Sequence, residues 1–392
     1  MIGRRLVSGP RAASAWRRVL GLAGLIVACL SASPSSPPQF GNAQELLAHY
    51  ERADYYTVTA ALAAVTDFSH LRDEFERVAN EWITNAAAAE ASRRRLVAAT
   101  VALEIGKSAV DRDWLAVRPL VEWACALLRD GPPRPAERTW HLASIALASR
   151  ARDTRLLLGV EGPDLWYRSP NSAHPLPALG NPVAPYGWKN IDHLAHAERR
   201  FPDEARFQLA RMFALEPALE NVPPRDNRWP RVYWRVAVQD EQGRMAIRRY
   251  ETLLNHLEIG AEARLRTGSL WLRVGEPGRA IQHLSLADSR SREPFIRYLA
   301  RYFAGEANEL LGRPVLAREA YRAALEVVPG AQSGVVRLSV RLFLEGRRID
   351  ATELATRSLA MTPRPADPWR LYSYGDFRMW ETLIASLRAN LR

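Results

Sequence analysis

A chain of 392 residues is long enough for two or three compact domains or for one elongated array, and an apolar fraction of 47% excludes wholesale disorder. The formal charge of +11 falls to +6 once residues 1–32 are set aside, because Arg4, Arg5, Arg11, Arg17 and Arg18 lie there without a single acid. The remaining arginines are scattered among Glu and Asp at helical spacing, as on a solvated surface, which argues against a nucleic-acid partner.

The chain opens on a targeting pattern. The basic stretch ends in Trp16-Arg17-Arg18, twelve uncharged residues follow from Val19 to Leu30, and a small, Pro-rich tract runs from Ser31 to Pro38. Basic, then apolar, then small is the order of a secretory signal, and twelve residues fall short of the about 20 that cross a bilayer. Export to the periplasm or the outer membrane is expected, with the signal over 1–32. Ile26-Val27-Ala28-Cys29 resembles the bacterial lipobox, which would make Cys29 a lipidated first residue; a cut near Ala32 would discard it. Membrane association is expected only through the signal or such an anchor. Cys125 is the other cysteine, so neither an intramolecular disulfide nor a cysteine-based metal site is expected.

Residues 33–41 read as a flexible linker. From Asn42 apolar residues recur every three or four positions, predicting helices near 42–50, 54–65, 68–84, 88–109, 112–129 and 134–150. Asp67 is placed to cap the third, and Gly131-Pro132-Pro133 to separate the last two. These helical hairpins form an N-terminal region, 42–150. Residues 151–188 form a loop, and its core from 159 to 187 holds six prolines and four glycines, which excludes regular structure. The segment from Pro217 to Pro230 has the same character.

Internal repetition dominates the region 189–365. Ala246, Ala280, Ala317 and Ala351 are spaced by 34, 37 and 34 residues. Gly275, Gly312 and Gly346 stand five residues before three of them, and Pro329 and Pro363 stand twelve residues after two. This pattern resembles the tetratricopeptide repeat, most closely over Gly312–Gly330 (GRPVLAREAYRAALEVVPG), with units near 227–260, 261–293, 298–331 and 332–365. The resemblance implies an all-α, right-handed superhelix in which Gly268 and Gly305 let paired helices approach near Ala280 and Ala317. Residues 366–392, rich in large apolar side chains, are expected to cap the last repeat.

The resemblance further implies that the first helix of each pair lines a concave groove. That face carries Arg228, Arg231 and Arg235 in the first unit; Leu265, Ser269 and Arg273 in the second; Tyr302, Glu306 and Glu309 in the third; and Val336, Val340 and Phe343 in the fourth. The groove would run from basic through mixed to apolar, suited to an extended peptide or helix with acidic and apolar residues. The lysine-and-asparagine clamp of chaperone-binding members is missing.

No catalytic constellation is recognisable. His193 and His196 are spaced to share a metal, but no third ligand stands nearby in sequence, and they read as surface polarity. Neither a phosphate-binding glycine loop nor a nucleophile motif occurs. The expected function is that of an exported, non-enzymatic protein-binding scaffold of the bacterial cell envelope, without cofactor or metal. Two alternatives stay open: an enzyme using His174 in the loop 159–187, and a subunit self-associating through its C-terminal aromatics.

Overall fold

Local capping chemistry marks out the first helices. Asp54 and Asp67 each accept a hydrogen bond from the backbone N–H three residues on, at 3.2 and 2.9 Å, satisfying donors that a helix start leaves open. The computed structural model describes residues 43–129, 133–151, 153, 156, 193–215, 243–244, 246–363, 365–372 and 375–391. Among the described residues every regular element is a helix, and no helix is long and apolar enough to cross a membrane. The signal, the linker, Cys29 and the loop 159–187 with His174 lie outside the described residues.

The N-terminal block comprises α1 (Ala43–Glu51), α2 (Tyr55–Ala64), α3 (Phe68–Thr84), α4 (Ala88–Ala109), α5 (Trp114–Leu127) and α6 (Pro135–Ala151). The periodicity places all six to within two residues. Two of them are surrounded: α4 is buried without a break from Leu96 to Gly106, and α6 from Trp140 to Ser149. Such helices alternate less sharply between apolar and polar faces because each face meets a neighbour. Trp140 joins the two, its indole N–H donating to the Ala99 carbonyl at 2.9 Å. Helices α7 (His193–Arg200) and α8 (Ala205–Leu215) pack onto α6.

The repeat region holds three helix pairs: α9 (Gly260–Arg273) with α10 (Pro277–Arg290), α11 (Pro294–Leu310) with α12 (Pro314–Val327), and α13 (Gln332–Leu344) with α14 (Arg348–Ala360). Each pair also packs on the next, which is the nearest-neighbour stacking of a helical solenoid. Proline opens α10, α11 and α12, where a missing N–H removes no helical bond. Gly275, Gly312 and Gly346 all take positive φ, at 82°, 68° and 81°, and turn the chain between the helices of each pair.

The close approaches fall where the repeat pattern puts them, with one refinement. A Cβ on Gly268 would lie 2.7 Å from Leu284 Cγ and 3.3 Å from the Ala280 carbonyl. On Gly305 it would run into the Tyr321 ring, 2.7 Å from Cδ1. Tyr321 therefore fills the space between the two helices of its own pair, a contact that the small residues alone do not announce.

The C-terminal segment departs from expectation. It contains α15 (Pro368–Tyr372), a 3₁₀ turn (Gly375–Met379) and α16 (Trp380–Asn390). A terminal cap would cover the outer side of α14, yet Ile349 and Leu359 there stay 83% and 68% exposed. The segment instead runs back along the body. The Asp367 carboxylate accepts from the Ser333 N–H and hydroxyl, and Tyr372 stacks edge-on against Phe303. Arg378 reaches Glu262 and Glu293, and α16 settles on α6 with Trp380, Ile384 and Leu387 buried. Its end meets the first helices: the Tyr55 hydroxyl donates to the Arg388 carbonyl, and the Arg388 guanidinium donates to Glu104.

Candidate partner-binding face

The helices that should line the groove are α9, α11 and α13, and the C-terminal segment changes what they offer. On α9 the Glu262 carboxylate receives Arg266 from its own helix and Arg378 from the 3₁₀ turn, at 3.0 and 2.6 Å. Burial alone would raise this carboxyl, but Arg378 and Arg266 outweigh it and hold it well below the usual carboxylate range. The Arg266 guanidinium also lies 4.7 Å from the Tyr372 ring centroid. One occupant of the inner helices is thus the chain's own C-terminus.

The twelve groove positions consequently sort differently than the sequence implies. Arg228, Arg231 and Arg235 lie outside the described residues. Leu265 and Ser269 are buried at 0% and 2% exposure, and Tyr302 at 4%, so they are packing residues and not a lining open to a ligand; of the three groove positions in the second unit only Arg273 faces solvent. Helical period finds an inward face but cannot tell whether that face is left open or packed over.

Glu306 and Glu309 are also not free acids. Arg337 of the next unit pairs with Glu306 at 2.6 Å and stands 3.7 Å from Glu309, while Arg341 reaches Glu309 at 3.6 Å. The Arg337 Nε also donates to the Tyr302 hydroxyl at 3.3 Å. Burial raises the Glu306 carboxyl and pushes the Tyr302 phenol up to about 12. These bonds join α11 to α13 across the unit boundary, and they use up the acidic middle of the expected gradient.

What remains is apolar. Val336, Val340 and Phe343 are 53%, 49% and 54% exposed. Positions four and three apart place them in one stripe along α13. The Arg348 guanidinium lies 5.3 Å from the Phe343 ring centroid, and the paired Arg337 runs along the other side, its side chain 44% exposed. The stripe is a short hydrophobic track with cations at its margins. Such a surface suits an amphipathic segment with apolar anchors and acidic flanks.

A second cluster corrects the expectation for the histidines. His193 is buried at 2% exposure and is no surface residue. Its ring meets His141, also buried, and a third candidate ligand, Cys125, lies alongside: one ligand atom from each of the three falls within 4.8 Å of the others. Spacing along a helix reveals only ligands close in sequence, whereas α5, α6 and α7 bring these together across gaps of 16 and 52 residues. Trp140, Ser144 and Glu137, all buried on α6, complete the surroundings.

No protein-family model matches the chain, and no curated protein does. Among solved structures, the chain is similar to one described as Rap protein complexed with competence and sporulation factor. Identity is 12% and the TM-score 0.38, with 87% of this chain and 80% of that one covered. The assignment to an all-helical repeat architecture therefore stands on the paired helices, the turn glycines and the glycine-to-side-chain approaches of the structure itself.

Proposed function

We propose that this protein is an exported scaffold of the cell envelope that holds a protein partner along α13. The observation that carries the reading is the contrast along the inner helices: apart from the exposed Arg273, the corresponding positions on α9 and α11 are buried or ion-paired, while Val336, Val340 and Phe343 are half exposed. The partner it fits is a helix or extended peptide with two or three apolar anchors and acidic neighbours, drawn by Arg337 and Arg348. Export rests on the basic–apolar–small order of residues 1–32.

The experiment is an envelope pull-down with the wild type beside Val340→Asp. The substitution lies on an exposed stripe, so folding should survive, and an aspartate amid apolar contacts should cost binding at least about tenfold. Partners recovered equally by both would remove α13 from the role. The N-terminal mass of the recovered chain reads the other half of the proposal: a chain that still begins at Met1 would contradict processing on export.

A further inference from the structure

The cluster on α5, α6 and α7 carries an inference independent of partner binding. We propose that Cys125, His141 and His193 bind a single transition-metal ion of the Zn²⁺ class, held inside the protein between α5, α6 and α7.

Distance is the first support. His141 Nδ1 and His193 Nε2 stand 3.3 Å apart. Two nitrogens each about 2.05 Å from a tetrahedral ion are themselves separated by about 3.3 Å, and a thiolate sulfur would lie about 3.6 Å from each. One ligand atom from each of the three residues already lies within 4.8 Å of the others, so a nitrogen–sulfur approach has at most about 1.2 Å to close.

Proton accounting is the second. Ser144 Oγ lies 3.0 Å from the His141 carbonyl and 2.8 Å from His193 Nε2. Without an ion, one of the two facing ring nitrogens must carry a hydrogen for the other. If His193 Nε2 carries it, the His141 N–H sits at Nε2, where no described group lies within hydrogen-bond distance. If His141 Nδ1 carries it, the bare Nε2 lone pair confronts the Glu137 carboxylate, 3.8 Å away. The first tautomer already presents the His141 Nδ1 lone pair that an ion would take, so only the hydrogen on His193 Nε2 has to leave for both facing nitrogens to ligate.

An ion stands in the place of that hydrogen. It takes the two facing lone pairs, Ser144 donates to the His141 carbonyl, and the His141 Nε2–H points at Glu137. A ligating histidine oriented by a carboxylate through its other nitrogen is the usual outer arrangement of a metal site. Glu137 is itself fixed by Arg200, whose Nη2 donates at 3.0 Å. His196, one turn from His193, has a buried Nε2 with no hydrogen-bond partner among the described residues, its ring centred 5.5 Å from that of His141. It is the candidate for the fourth position.

The chemistry of the donors selects the ion. One thiolate with imidazoles favours Zn²⁺, Cu⁺ or Co²⁺ over Mg²⁺ and Ca²⁺, which take oxygen. Histidine ligates through a neutral ring nitrogen and cysteine through its thiolate. Binding therefore displaces one proton from sulfur as the metal–sulfur bond forms. All three ligands are buried, so the ion enters as the chain folds.

The test is refolding of the full chain from denaturant, reduced and chelator-treated, with one equivalent of Co²⁺. Expected are the visible d–d bands of four-coordinate cobalt and a near-ultraviolet thiolate-to-cobalt band, both lost when Zn²⁺ is added. Cys125→Ser, nearly isosteric, should remove the thiolate band, and His193→Gln should weaken binding at least tenfold. Bands absent from the wild type, together with the same Tm with and without Zn²⁺, would overturn the site. Bands unchanged in Cys125→Ser would overturn it as well, placing the ion elsewhere. The wild-type spectrum and Tm decide the matter even if a variant fails to fold.

Discussion

At the scale of single residues, the fold depends on what is missing as much as on what is present. Gly305 faces the Tyr321 ring so closely that a methyl group there has no room. Neither can yield easily: Tyr321 is buried at 0% exposure, with its ring centred 5.7 Å from Tyr302. Gly305→Ala should therefore destabilise the protein by about 1–3 kcal/mol, the usual cost of overpacking, despite alanine's better helix propensity. A urea midpoint equal to or above wild type would show that α11 and α12 can separate without penalty. This position is legible in the sequence, because small residues recurring at the repeat interval mark where paired helices must come close. The burial of Leu265 and Ser269 is not, since the repeat period marks a face and does not say whether it is packed over. Cys125, His141 and His193 are hidden for a related reason: each is unremarkable in its own helix, and only the packing of three helices makes them neighbours.

At the scale of elements, the C-terminal segment is held by two ion pairs with opposite responses to pH. At Glu262 the folded carboxyl is depressed by Arg378 and Arg266 against the effect of burial. Its stabilisation is fully present above the ordinary value of about 4.5 and is lost as the pH falls through that range and below. At Glu104 burial prevails over Arg388 and raises the folded carboxyl. That pair contributes no comparable loss on acidification, since protonation is already easier in the folded state. Acid should thus release the 3₁₀ turn at Gly375–Met379 before α16. Hydrogen exchange followed from pH 6 to pH 3 would show it as early loss of protection around Arg378 with α16 still protected. Simultaneous loss along the whole segment would mean that the two pairs do not act separately. The helices themselves, and the turn glycines between them, follow from period and cap residues; the segment's aromatics announce burial, but composition alone cannot say against which surface.

At the scale of the whole molecule, the segment turns a chain of neighbour contacts into a structure with one long-range closure. The Tyr55–Arg388 and Glu104–Arg388 bonds span 333 and 284 residues, while among themselves the repeat pairs contact only their neighbours. A chain ended after Pro365 would lose the burial of Tyr372, Trp380, Leu383, Ile384 and Leu387, each worth about 1.5–3 kcal/mol. It should melt at a lower temperature and in two steps, with the N-terminal block and the repeat pairs unfolding apart. A single transition at the wild-type Tm in calorimetry would deny the segment any fastening role.

The bond between Arg388 and Glu104 also fixes a timetable. During synthesis α4 leaves the ribosome nearly three hundred residues ahead of the guanidinium that its buried carboxylate receives, and α6 waits almost as long for the helix that covers it. Repeat pairs, whose partners are consecutive, can assemble as they emerge. The opening helices cannot finish until α16 has been made, so a stop ahead of it would leave them unsealed however much of the chain preceded it.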